Sequence, residues 1–251
     1  LNKNFNLMIE RLKEQQDKLL TTERYEAWET VARKLAHEIK NPLTPIQLSI
    51  DSLREKYKHK LTEDSQEFEK YLETINRQIK DIEKLVNEFS NFARMPRPIL
   101  KKINIVELIN KTLDFVKMTS NNSIHLIKKN KIVFINGDED QLNRVFINLI
   151  KNSEEAILEM VEKDPNFKGN IDIDINSNND YIIIVLTDNG PGITNAKKAM
   201  TPYYTTKKTG TGLGLPIVTK IINEHSGFLS IKNKSEGTGT IIQILLPKIN
   251  A

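Results

Sequence analysis

Cysteine is absent, which excludes disulfides and thiolate metal sites and fits a reducing compartment. No apolar run reaches the roughly 20 residues that a membrane-crossing helix needs, and no signal-peptide pattern is present. An excess of one charge is also lacking. Lys and Arg number 37 against 33 Asp and Glu, a net charge of +4, so a nucleic-acid groove is not expected. Glycine is missing from residues 1–136, where Pro42, Pro45, Pro96 and Pro98 are the only prolines; all ten glycines lie between Gly137 and Gly239. That shift separates a helical front half from a mixed back half.

What is present suits two domains. The chain has 251 residues, of which 38% are hydrophobic and 28% charged, enough for real cores beside long solvated helices. It opens on Leu1 rather than Met. We therefore expect a piece of a longer protein, which as a whole could be membrane-bound.

The front half carries heptad-like apolar spacing: Met8, Leu12 and Leu19, then Trp28, Leu35, Ile39, Ile46 and Leu53. After a charged lapse from Tyr57 to Ser65 a second stripe follows: Phe68, Tyr71, Ile75, Ile82, Leu85, Phe89 and Phe92. Two such helices form a hairpin with more apolar seam than one chain can cover. Pairing with a second copy into a homodimeric four-helix bundle would bury it; packing of a monomeric hairpin on the rest of the chain is the alternative. Met95-Pro96-Arg97-Pro98 ends the second helix and begins a linker, 96–99.

Beyond the linker the periods mix. Ile105–Met118, Glu139–Lys163 and about Leu215–Glu224 read as helices. Ser123–Ile135, Ile171–Ile175, Tyr181–Asp188, Phe228–Asn233 and Thr238–Leu246 read as strands. The order predicts an α+β multi-domain protein, whose second domain, 100–251, is an α/β sandwich with helices on one sheet face.

His37 lies in His37-Glu38-Ile39-Lys40-Asn41-Pro42. Leu35 and Ile39 sit about 200° around the helix from it, so His37 should face away from their seam and share its face with Asn41. An exposed imidazole beside a carboxylate suits nucleophilic phosphoryl capture: Glu38 holds one ring N–H and raises the basicity of the other nitrogen. Asn41 could later orient a water. Pro42 and Pro45 free the carbonyls of Glu38 and Asn41, giving a bend point past the acceptor. His59, His125 and His225 read as ordinary decoration.

Asn148 and Asn152 fall one turn apart on one helix face, and their carboxamide oxygens are hard ligands suited to Mg²⁺. Asp188, ending an apolar strand, can accept an adenine amine, while Gly190 and Gly192 let backbone approach the base. Gly210-Thr211-Gly212-Leu213-Gly214-Leu215-Pro216 enters a helix whose first N–H groups form an anion site. It lacks the Walker A spacing. The polar stretch 194–209, with Lys207 and Lys208 near its end, could close over a triphosphate.

In their order and spacing, His37–Pro42, Asn148–Asn152, Asp188–Gly192, Gly210–Gly214 and Gly237–Gly239 resemble the H, N, G1, G2 and G3 boxes of two-component sensor histidine kinases. The resemblance runs from about residue 25 to the end. Ala27-Trp28-Glu29 through Leu48 looks most like the NtrY-type nitrogen-regulation sensors, and residues 1–24 resemble the tail of a HAMP relay. The resemblance implies a dimerisation and phosphoacceptor domain over 25–95 and a Bergerat-fold ATP-binding domain over 100–251. It implies ATP and Mg²⁺ as cofactors, transfer of the γ-phosphate to His37, and onward transfer to a response-regulator aspartate. By position, Glu38 is the base or orienter and Asn41 the phosphatase-side residue. Asn152 holds Mg²⁺ with Asn148 nearby, and Asp188 reads adenine. Gly190, Gly192, Lys207, Gly210, Thr211, Gly212, Leu213 and Gly214 shape the pocket and lid. It also implies the cytoplasmic portion of a bacterial inner-membrane protein, anchored through a region before this chain.

Two positions depart from the family pattern. Met200-Thr201-Pro202-Tyr203-Tyr204 stands where a Phe-centred lid motif is usual, and Glu155 where many relatives are basic. Another ATPase of the same fold would leave His37–Pro42 unexplained. A non-catalytic coiled-coil scaffold would leave the intact Glu38, Asn152 and Asp188 unexplained. A mainly phosphatase role uses the same residues.

Overall fold

Each helix of the front half carries one buried and one exposed apolar row. The computed structural model describes residues 35–36, 38–57, 65–93, 95–118, 120, 122–128, 132–207 and 210–249. The expectations for residues 1–34, for His37, for the 58–64 connection and for Lys208 and Thr209 lie outside the described residues. Helix α1 (38–57) runs unbroken through Pro42 and Pro45, and the Ser49 hydroxyl donates to the Pro45 carbonyl at 2.8 Å. Helix α2 spans Ser65–Ala93.

The buried seam between α1 and α2 is Leu43 and Ile50 against Leu72 and Ile79, with Phe68 packed on it. Ala36 and Val86 continue it at the same seven-residue spacing. Arg54 pairs with Glu69 at 2.8 Å, and Tyr57 meets Phe68 edge-on near the far end. This corrects the expected stripe: Leu35, Ile39, Ile46 and Leu53, with Tyr71, Ile75, Ile82 and Leu85, are exposed in the single chain. Each helix carries two adjacent apolar rows, and the periodicity of one row does not reveal which row its own partner takes.

The chain divides at Met95 and Pro96 into two compact units. The second comprises β1 (Lys101–Asn104), α3 (Ile105–Lys117), β2 (Ser123–Lys128), β3 (Phe134–Gly137), α4 (Glu139–Lys163), β4 (Asn170–Ser177), β5 (Tyr181–Asp188), α5 (Ala196–Ala199), α6 (Gly214–Glu224), β6 (Phe228–Asn233) and β7 (Thr240–Pro247). Five strands form one sheet in the order β2-β4-β5-β7-β6, parallel only between β2 and β4. β1 and β3 pair separately and antiparallel.

Alternation builds the core. Ile171, Ile173 and Ile175 of β4, Ile182, Ile184 and Leu186 of β5, and Ile242, Ile244 and Leu246 of β7 all point to one face. The buried stripes of α3, α4 and α6 supply the matching apolar side chains, so the helices form one layer and the sheet the other. The α/β sandwich is as the sequence predicts. The single strand expected over Ser123–Ile135 is instead two strands in different sheets, and β1 and α5 were not expected. Among the described residues no helix is long and apolar enough to cross a membrane.

Candidate functional site

Period-two alternation carries the inward face of β5 to its last residue. Asp188 pairs with Ile171 in register and follows Ile182, Ile184 and Leu186 on the core side, where it is only 3% exposed. A carboxylate there requires donors, and three are present. Oδ1 accepts the N–H of Gly190 at 3.0 Å and of Thr240 at 3.1 Å; Oδ2 accepts the Ser153 hydroxyl at 3.2 Å. Strand β5, helix α4 and the β6–β7 turn therefore converge on one carboxylate. That turn is closed by the Lys234 N–H donating to the Gly239 carbonyl at 3.1 Å.

Helix α4 is set by its cap and its stripe. Asp138 caps it by accepting the Gln141 N–H at 3.1 Å, and Leu142, Val145, Phe146, Leu149, Ile150, Ser153 and Ile157 are buried. Asn148 and Asn152 flank that stripe, half-buried. The Asn148 amide donates to the Arg144 carbonyl at 2.8 Å, which leaves its Oδ1 toward Gly214. A Cβ built on Gly214 would lie 3.5 Å from both Asn148 Oδ1 and Asn152 Nδ2. The glycine-rich entry to α6 thus lies directly against the asparagine pair. Pro216 is in the first turn of α6, as expected.

Between β5 and α6 runs a long connection. Its first part, at Gly192 and Ile193, is tied to β6: the Asn233 carboxamide accepts the Ile193 N–H at 2.7 Å and donates to its carbonyl at 3.0 Å. Its second part closes on itself, the Tyr203 N–H donating to the Gly212 carbonyl at 3.0 Å. Gly212 has φ +67°, and a Cβ there would fall 2.6 Å from the Tyr203 carbonyl carbon. Only glycine fits. Tyr203, opposite, is itself left-handed at φ 67°, and burial pushes its hydroxyl pKa up to about 12. Lys207, inside this loop, reaches back to α4: its Nζ is 2.6 Å from Glu155 Oε2 and 3.4 Å from the Asn152 carbonyl.

A family model described as the histidine kinase-, DNA gyrase B- and HSP90-like ATPase matches residues 137–250, and the His kinase A phosphoacceptor model matches 27–98. The chain belongs to the sensor histidine kinases. It is 40% identical over 243 residues to a putative sensor histidine kinase, NtrY-like, of Rickettsia felis, which covers 96% of this chain and 39% of that protein. It is 37% identical over 230 residues to the nitrogen regulation protein NtrY of Azorhizobium caulinodans, covering 91% of this chain and 30% of the other. A crystal structure of the histidine kinase ThkA in complex with the response regulator TrrA shares the fold. Its TM-score is 0.62 at 22% identity, with 94% of this chain and 66% of that one covered. The chain spans about two fifths or less of the length of these NtrY relatives.

In this sensor histidine kinase portion, Asn148, Asn152 and Gly214 come together, as do Asp188, Gly190 and the β6–β7 turn. Gly190 lies against α4 at Ala156, where an added Cβ would be 3.0 Å from that side chain. Leu213 is buried in the core beneath the loop, whereas Gly210 and Thr211 are half-buried. Glu38 and Asn41 are exposed, three residues apart on helical backbone. Sequence reasoning missed Ser153, Thr240 and Asn233. Ser153 had a readable signal, a small polar residue in phase with Phe146, Leu149 and Ile157; the other two reach the site only through strand pairing.

Proposed function

We propose that this chain is the kinase portion of a two-component sensor, which binds ATP, phosphorylates His37 and passes the phosphoryl group to a response-regulator aspartate. The observation that carries this is the convergence on Asp188 of β5, Ser153 and Thr240, beside the Asn148–Asn152–Gly214 cluster. Among the described residues the donor to Asp188 Oδ2 is the Ser153 hydroxyl alone, so this oxygen retains capacity to accept an adenine amine. The carboxamide oxygens of Asn148 and Asn152 fit Mg²⁺, with Asn152 the residue we assign to it; the ion would neutralise charge on the phosphates. Lys207, Gly210, Thr211, Gly212 and Gly214 border the space the phosphates would take.

In the reaction an imidazole nitrogen of His37 attacks the γ-phosphorus and the bond to the β-phosphate oxygen breaks, releasing ADP. The displaced ring proton passes to Glu38. The aspartate carboxylate of the regulator then takes the phosphoryl group, and His37 returns to neutral imidazole as Glu38 hands back the ring proton. Asn41 positions water for the reverse function, hydrolysis of the regulator's phosphoaspartate. The exposed apolar row of α1 and α2 supports a homodimer. The relatives' greater length supports placing the sensing and membrane-anchoring parts outside this chain.

The test is incubation with γ-labelled ATP and Mg²⁺. Acid-labile, alkali-stable label on the wild-type chain is expected, lost in both His37→Gln and Asn152→Ala. Label that survives in His37→Gln would show a different acceptor.

A further inference from the structure

The ammonium of Lys207 already has an anion. Its Nζ is 2.6 Å from Glu155 Oε2, and side-chain exposure is 26% for Lys207 and 42% for Glu155. The other oxygen of Glu155 lies 4.0 Å from Lys151. Residues 148, 152 and 155 form one stripe of α4, so Glu155 lies one turn beyond the asparagine pair. The described parts of this connection, 203–207 and 210–212, are thus held in two places: by the Tyr203–Gly212 backbone bond, and by Lys207 on α4.

One ammonium cannot be fully engaged by Glu155 and by a phosphate at once. We propose that Glu155 is a positioning residue that parks Lys207 against α4 and lowers the affinity for nucleotide, which must draw the lysine away. This rests on the reading that Lys207 meets the phosphates. It makes Glu155 an affinity-setting residue rather than a catalytic one: it acts on the nucleotide through Lys207. Because the pair is partly solvated, its hold is modest and weakens with salt.

The test is a double-mutant cycle on the whole chain, with Kd for ATP and for ADP measured calorimetrically in Mg²⁺ for wild type, Glu155→Gln, Lys207→Met and the double variant. Lys207→Met is expected to weaken ATP binding. Glu155→Gln should tighten it by about two- to fivefold, with a smaller gain at high salt and no gain in the Lys207→Met background. Unchanged or weaker binding in Glu155→Gln, while Lys207→Met weakens it, overturns the parking role and leaves the phosphate reading standing. A gain that persists without Lys207 means that Glu155 acts by direct repulsion, which also overturns it. If Lys207→Met leaves ATP affinity unchanged, the phosphate reading and the inference fall together.

Discussion

His225 accepts the backbone N–H of Asp138 on Nε2 at 2.9 Å while its Nδ1 faces the Ile221 carbonyl at 2.8 Å. These partners fix a neutral ring with the proton on Nδ1. The bond ties the end of α6 to the cap of α4, the two helices that carry the glycine loop and the asparagines. Asp138 extends the tie to the start of the second unit. Its Oδ2 accepts the Ile99 N–H at 2.8 Å, and Gln141 Nε2 donates to the Pro96 carbonyl at 2.8 Å. The expectation that His225 is mere decoration is therefore wrong, for it is 3% exposed and bonded at both nitrogens.

This geometry sets a pH dependence. Burial lowers the His225 pKa below its ordinary value of 6.5, outweighing the Ile221 carbonyl and the Asp138 carboxylate, which raise it. The unfolded state therefore binds the proton first. The contribution of neutral His225 to stability is complete above about pH 6.5 and is lost as pH falls from there toward the lower folded value. Asp138 acts in a separate, more acidic window. Burial raises its pKa, but the N–H groups of Ile99 and Gln141 more than offset this and the net shift is downward. Its contribution is present above its unfolded value and is lost as pH falls through the folded one. Melting curves from pH 8 to 5 should show a falling Tm that flattens in His225→Gln. His225→Ala should cost about 1–3 kcal/mol at pH 8 through the orphaned Asp138 N–H. A wild-type Tm that does not move between pH 7 and 5 would contradict the buried neutral ring.

Asp188→Asn separates folding from recognition. The amide oxygen can still accept from Gly190 and Thr240, and the Ser153 hydroxyl can turn to accept from the new NH₂. The domain should therefore fold. What disappears is an acceptor for an amine, now replaced by a donor. We expect ATP affinity to fall tenfold or more, the scale of a lost charge-assisted hydrogen bond, about 1.5–3 kcal/mol. Calorimetry beside circular dichroism checks both halves. Native affinity in a folded Asp188→Asn chain rules out the adenine assignment.

Legibility followed the range of the interaction. Helix Glu139–Lys163 was read to the residue because its long apolar stripe is a local signal. Asp188 and the glycine motifs were legible for the same reason. Strand β1 was not, since Lys101 and Lys102 show no apolar alternation and the strand exists only through pairing with β3, some 30 residues on. Ser123–Ile135 looked like one strand because its apolar residues do not record that β2 joins β4 while β3 joins β1. The Lys207–Glu155 contact joins positions 52 residues apart, and charge alone does not announce such a pair.

Two glycines of the β6–β7 turn, two residues apart, should respond differently. Both have positive φ, +73° at Gly237 and +134° at Gly239. A Cβ on Gly237 meets nothing within 4 Å, whereas one on Gly239 would overlap the backbone oxygen of Asp188. Gly237→Ala should cost only the left-handed conformation, about 1–2 kcal/mol, with ATP binding retained. Gly239→Ala must push the turn off Asp188, so it should cost more stability and also weaken ATP binding, because Thr240 N–H moves with it. Urea melts and nucleotide titrations give the comparison. Equal effects at the two positions would refute the close approach.

The exposed apolar row of the front half makes the last prediction. Ile39 and Ile46 of α1 and Ile75 and Ile82 of α2 are each about 40% exposed, although the seam between the helices is filled by Leu43, Ile50, Leu72 and Ile79. Four large aliphatic side chains left half in water would each gain on the order of 1 kcal/mol from burial against a second copy. Sedimentation of the wild-type chain should therefore give a dimer. Ile75→Glu with Ile82→Glu should give a monomer, because two buried carboxylates would face apolar partners. Both substitutions lie in the first unit and the nucleotide residues in the second, so ATP affinity should survive while the dimer is lost. A wild-type chain that stays monomeric at tens of micromolar would assign that row to some other partner surface.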